Sequence, residues 1–144
     1  MFKPLTFLFS LLAASSFVTV SAHELGFAGL LSKGNMEELP EIKLSVGEPL
    51  GDDMVLRSGT GYELEITSDG SGEIQLEGAN FFRAVWVNEV VINDLEVRPY
   101  GLQSLEFDDE GTMEIEFIAI KPGTYELKIP GTTSENQRIK ITIR

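Results

Sequence analysis

From Ile42 onward the sequence follows a period of two. Tyr62, Leu64 and Ile66 alternate with Glu63, Glu65 and Thr67. The same alternation returns at Ile74 and Leu76, and at Met113, Ile115 and Phe117 against Glu114 and Glu116. It closes the chain at Tyr125, Leu127 and Ile129 against Glu126 and Lys128, then at Ile139, Ile141 and Ile143 against Arg138, Lys140 and Thr142. A helix repeats its face every ~3.6 residues and cannot gather such a pattern on one side, whereas a strand sends successive side chains to opposite faces. Each run is therefore a strand with one dry and one wet face. Breaker clusters separate the runs: 58–61 (Ser-Gly-Thr-Gly), 68–72 (Ser-Asp-Gly-Ser-Gly), 108–111 (Asp-Asp-Glu-Gly) and 121–123 (Lys-Pro-Gly). Short strands at this spacing, with turn chemistry between them and no long helix, predict an all-β sandwich or barrel.

The stretch from Phe81 to Val97 is denser in apolar residues. Two-sided burial, or two consecutive strands turning near Asn93-Asp94, accounts for that density. Upstream, residues 23–41 read as a connecting segment punctuated by Gly26, Gly29 and Gly34, with a short helix expected around Leu25 to Leu31. Residues 1–22 have the order of a signal peptide: one cation at Lys3, an apolar stretch from Leu5 to Val20, and the small-residue site Val20-Ser21-Ala22. Its apolar runs are shorter than the ~20 residues a membrane-spanning helix needs, so cleavage before His23 and no stable membrane insertion are expected. The chain is expected to be periplasmic or secreted.

Charge narrows the partners. The 144 residues carry a net charge of −12, and loss of Lys3 with the leader takes it to −13. Nucleic acid is an unsuitable partner, because its binders need Lys and Arg to displace counterions from phosphate. Basic protein surfaces and cations are attracted instead. There is no cysteine, so an exported chain of this size relies on a hydrophobic core without disulfides, and thiolate chemistry is excluded.

Three segments resemble the cupredoxin-like family of exported copper proteins. They are 61–70 (Gly-Tyr-Glu-Leu-Glu-Ile-Thr-Ser-Asp-Gly), 80–83 (Asn-Phe-Phe-Arg) and 117–127, where Phe117 leads into Lys121-Pro122-Gly123-Thr124-Tyr125-Glu126-Leu127. The resemblance runs from Gly47 to the C-terminus. It implies a Greek-key β-sandwich over residues 42–144, following the signal peptide at 1–22 and the connecting segment at 23–41. The family's copper-loaded members would carry a cysteine, a histidine and usually a methionine after the tyrosine, with another histidine on an earlier turn. Here Lys128 and Ile129 occupy the cysteine region, Thr132 follows Pro130-Gly131, no methionine is present in the loop, and Ser71-Gly72-Glu73 fills the earlier turn. Type 1 copper is not expected.

His23 is the only histidine. As a mature N-terminal residue, its α-amine and imidazole would offer Cu(II) a nitrogen pair, with Glu24 as a further donor. As the first residue of a chain end it also reads as an unconstrained exposed group. Asp52-Asp53 and Asp108-Asp109-Glu110 carry oxygen donors suited to calcium, but they lack the spacing of a wrapping loop and read as solvated turns. Phe81, Phe82 and Trp86 are candidates for an aromatic interaction surface or for core. In a strictly alternating strand, Phe82 and Trp86 would share one face and Phe81 and Val85 the other. A Ser-His-Asp triad would need His23, and no enzymatic centre is expected. These readings lead to an exported binding or accessory module with a protein partner, or alternatively a chain that handles Cu(II) through His23.

Overall fold

The structure is a computed structural model and describes residues 29–144. The signal-peptide segment, His23 and residues 24–28 lie outside the described residues. Two short 3-10 turns, Gly29–Leu31 and Lys33–Asn35, precede eleven strands and one α-helical turn, with a third 3-10 turn, Glu135–Gln137, before the last strand. The helix expected around Leu25 to Leu31 is, in its described part, the 3-10 turn Gly29–Leu31; Asn35 of the next turn donates its side-chain amide to the carbonyls of Leu30 (2.7 Å) and Gly59 (3.0 Å).

The strands are β1 (Met36–Glu38), β2 (Ile42–Leu44), β3 (Met54–Leu56), β4 (Gly61–Ser68), β5 (Ile74–Glu77), β6 (Val85–Ile92), β7 (Leu95–Val97), β8 (Ser104–Phe107), β9 (Gly111–Ala119), β10 (Gly123–Lys128) and β11 (Arg138–Ile143), with helical turn α1 (Ala79–Phe82) between β5 and β6. The first sheet has the order β1-β4-β9-β6-β7, and β2 also pairs with β4. The second has the order β3-β11-β10-β5-β8. Strands β1 and β2 run parallel to the same edge of β4, at Met36↔Gly61 and Ile42↔Ile66. Between them lies Pro40, which lacks an N–H and suits a sheet edge. Because β1 belongs to the sheet, the segment read as a connector is partly structural. Its strand was not visible as alternation, since a strand this short shows almost no period.

Every alternating run is a strand with its apolar face inward. Leu64, Ile66, Leu76, Ile115, Leu127 and Ile139 are fully buried between the two sheets. Each such side chain contributes roughly 1.5–3 kcal/mol. The result is a Greek-key β-sandwich whose register follows the hydrophobic pattern, because a slip of one residue would expose the entire inner face. The dense segment resolves into β6 and β7, joined by Asn93 and Asp94, whose φ of 47° and 65° make the tight two-residue hairpin turn that matches strand twist.

One element departs from the alternation. Strand β5 stops at Gly78, and the chain makes a single helical turn in which Phe82 N–H donates to the Gly78 carbonyl at 2.9 Å. A turn this short has no stability of its own. It forms because it points Phe81 and Phe82 both into the core, whereas a strand would send one of them outward.

Candidate functional site

Phe81 is 0% and Phe82 4% exposed. Phe81 meets Phe117 edge-on at 5.4 Å, Phe82 at 5.4 Å and Tyr125 at 6.5 Å between ring centroids. Neither is available to a partner in the folded protein, so of the two readings, interaction surface or core, both rings take the core one. The cause is α1, which replaces the expected strand and turns both rings inward. Trp86 is 48% exposed and lies in β6 opposite Ile118 of β9, on the outer face of the first sheet. Ile118 is itself buried, next to Met36 and Gly61.

The same outer face carries rows of glutamates. Glu63 of β4 is the register partner of Glu116 of β9, and Glu65 is the partner of Glu114. Glu116 is also paired with Glu89 of β6 beyond the bulge at Asn88. Like charges in directly opposed positions destabilise a sheet. Glu114 and Glu116 both have carboxyls raised above the ordinary 4.5, chiefly by burial and then by the neighbouring glutamates, including Glu63 and Glu89. An Asn88 amide donating to Glu116 at 2.6 Å opposes the shift there. Arg98 bonds Glu89 at 2.7 Å and Glu96 at 3.3 Å, and so neutralises only one end of the face. Alternation predicted that each of these glutamates faces water. Their convergence depends on strand order and register, which one strand's sequence does not encode.

At one end of the sandwich, Glu73 and Ile74 at the start of β5 approach Ile129 and Gln137 after β10. With Ser45, Val46, Glu48 and Leu50 they border a cavity of about 180 Å³. The 129–137 loop is closed on itself: Ile129 N–H donates to the Gln137 carbonyl at 3.1 Å, and Thr132 Oγ1 donates to Gln137 Oε1 at 2.9 Å.

This architecture has counterparts among copper enzymes. The chain is similar to a multi-copper oxidase from Pseudomonas thermotolerans, with TM-score 0.55 and 14% identity over 76% of this chain and 30% of the oxidase. It is similar also to the copper nitrite reductase of Nitrosomonas europaea (TM-score 0.50, 14% identity, 66% of this chain and 33% of the reductase). The Cu-containing nitrite reductase of Thermus scotoductus gives TM-score 0.51 and 14% identity over 63% of this chain and 22% of the reductase. The fold is cupredoxin-like. No family model and no curated protein matches the sequence. This cupredoxin-like chain spans about a third or less of the length of each of those neighbours.

The donors at the cavity end do not suit a type 1 copper ion. The cupredoxin-like fold brings the early turn (Ser71-Gly72-Glu73) and the loop after Lys128 to one place, but the groups facing each other there are a carboxylate, an amide already bonded to Thr132, and the Ile129 side chain. A type 1 centre needs thiolate and imidazole donors. Among the described residues, no histidine, cysteine or methionine lines the cavity.

The acidic turns of the cupredoxin-like domain are already engaged in local bonds. Asp53 accepts from the Lys140 backbone at 2.9 Å and from its ammonium at 2.9 Å. Asp109 Oδ1 accepts from Glu110 N–H at 2.8 Å. Asp108 instead joins Glu73 and Glu106 in an exposed group whose carboxylate oxygens lie within 4.8 Å of one another. The Glu106 carboxyl is raised, first by its hydrogen bond with Glu73. Among the described residues no helix is long and apolar enough to cross a membrane.

Proposed function

We propose that this chain is an exported, cupredoxin-like binding or accessory module without a type 1 copper site, and that it engages a cationic surface of another exported protein. The observation that carries this reading is the outer face of the first sheet, where half-exposed Trp86 adjoins opposed glutamate rows at Glu63/Glu116/Glu89 and Glu65/Glu114. Aromatic residues anchor interfaces, since they bury large area at little conformational cost, and complementary charge steers encounter and sets register. Repulsion between opposed carboxylates would be relieved by incoming Lys or Arg side chains, so the face gains more from a cationic partner than from water. The leader-like 1–22 segment supports export, and the absence of cysteine accords with it.

The test is affinity capture from the exported fraction at low and moderate salt, using wild type, Trp86→Ser and Glu65→Gln/Glu114→Gln, each checked for retained β-sheet circular dichroism. A basic partner should be captured by wild type, should weaken with salt, and should be lost from both folded variants. Capture unaffected by either variant would sink the proposal.

A further inference from the structure

A cleft beside β5 lies on the opposite sheet from the glutamate face. Strand β10 pairs with β5 through a single residue pair, Lys128↔Glu77, because β5 ends at Gly78 and the chain turns inward to bury Phe81 and Phe82. Strand β8 continues alongside β5, so a gap of about 450 Å³ opens between β8 and β10 above the start of α1. That volume falls within the ~300–1,000 Å³ typical of small-molecule sites. Its walls are Gln75 and Glu77 of β5, Gln103 and Ser104 at the start of β8, and Thr124, Glu126 and Lys128 of β10, with Asn80 and Tyr125 at the base.

The chemistry of this lining selects among ligand classes. Gln75, Asn80, Gln103, Ser104 and Thr124 each present groups that both donate and accept hydrogen bonds. Among the described residues, no side-chain hydrogen bond engages any of these five. Lys128 is paired with Glu77 at 3.5 Å and Arg138 with Glu126 at 3.5 Å, so among the described residues of the lining every cation already has a carboxylate partner. The apolar contribution comes from Ala79 and from Tyr125, whose ring is fixed by its hydroxyl donating to the Lys121 carbonyl at 2.9 Å and by its packing against Phe81. Below the gap Gly78 lies close against β10, where an added Cβ would collide with the buried Leu127 side chain and press on the Glu126 carbonyl.

We infer that this cleft is a binding site for a neutral polyhydroxylated ligand, a short saccharide. Sugar hydroxyls both donate and accept, as the five uncommitted side chains do. Vicinal hydroxyls are good partners for the Glu77 carboxylate, and the apolar face of a pyranose matches the fixed Tyr125 ring. The site is independent of Trp86 and of the proposed protein partner.

The experiment is amide-resolved NMR titration of the purified protein with a panel of neutral disaccharides to tetrasaccharides, alongside sulfated saccharides and an extended basic peptide. Neutral saccharides should shift the amides of Gln75, Gly78, Asn80, Gln103 and Thr124, leaving those of β6 and β7 unmoved. Asn80→Ala/Gln103→Ala, at exposed positions, should retain the wild-type melting temperature and weaken binding about tenfold. Thr124→Val, which keeps the β-branched shape, should weaken it by a smaller factor and serves if the double variant is destabilised. Absence of shifts with every neutral saccharide at saturating concentration would overturn the inference. So would shifts outside the cleft, or binding there by the sulfated saccharides or the peptide alone.

Discussion

Phe82 and Trp86 are near neighbours in the chain and meet opposite environments. Phe81→Ala should cost about 3–5 kcal/mol, as expected for deleting a ring with no exposed surface and three aromatic neighbours. Trp86→Ser should change stability by no more than about 1 kcal/mol, because half of its surface is already in water. Chemical denaturation of the two variants checks both values. At Glu114, replacement by Gln should stabilise the fold by ~0.2–1 kcal/mol, since it removes one of two directly opposed carboxylates in a partly buried row. A measured loss of stability would show that Glu114 is paired with a cation in solution. The sequence left Phe81, Phe82 and Trp86 open between core and surface, and strict alternation would have put Phe81 and Phe82 on opposite faces; both are buried because the chain makes a helical turn where that rule assumes a strand.

At the scale of elements, the hairpin between β6 and β7 and the break after β5 are the two places where backbone conformation governs the outcome. Asn93 and Asp94 both sit in the left-handed region, which Asn and Asp tolerate and glycine prefers. Asp94→Gly should therefore raise stability by up to about 1 kcal/mol, read as an upward shift in the thermal midpoint. Gly78→Ala should act in the other direction, by about 1–3 kcal/mol, because a methyl group there collides with Leu127 in a packed core. Circular dichroism and denaturant titration distinguish the two. The turn at Asn93-Asp94 could be placed from composition. The splaying of β5 from β10 could not, since it results from competition between one strand's ladder and the burial of two phenylalanines.

For the whole molecule, the pH dependence of stability follows from carboxylates shifted in opposite directions. Glu114 and Glu116 have folded values above 4.5, so they oppose folding while ionised and this penalty lifts as the pH falls from neutral through their folded values toward 4.5. Asp69 is held down to about 2, first by the Ser45 side chain and then by Ser71, and Asp53 is lowered first by Lys140. Their contribution is present above the ordinary aspartate value of 3.8 and is lost as the pH falls toward the folded values. The thermal midpoint should thus rise on mild acidification from pH 7, pass through a maximum near the ordinary carboxylate range, and fall in stronger acid. A midpoint that falls steadily from pH 7 would contradict the burial of Glu114 and Glu116. Added salt at pH 7 should also stabilise, because the net charge of −12 is self-repelling and is screened beyond roughly 10 Å at 0.1 M.

The sequence by itself determined the strand faces, the turns between them, and the sandwich class that its cupredoxin-like segments implied. It also determined that no thiolate or imidazole donor stands at the positions where the cupredoxin-like resemblance implies copper ligands. These are local properties: an alternating pattern specifies which face is dry, and a missing side chain is missing in any fold. Tertiary structure alone decided which strands became neighbours. That choice placed Glu63 opposite Glu116 and Glu65 opposite Glu114, set Trp86 beside them, and opened the cleft between β8 and β10. Neighbours of this kind are many residues apart along the chain, and they meet because closing the core fixes strand order and register for every side chain on both faces.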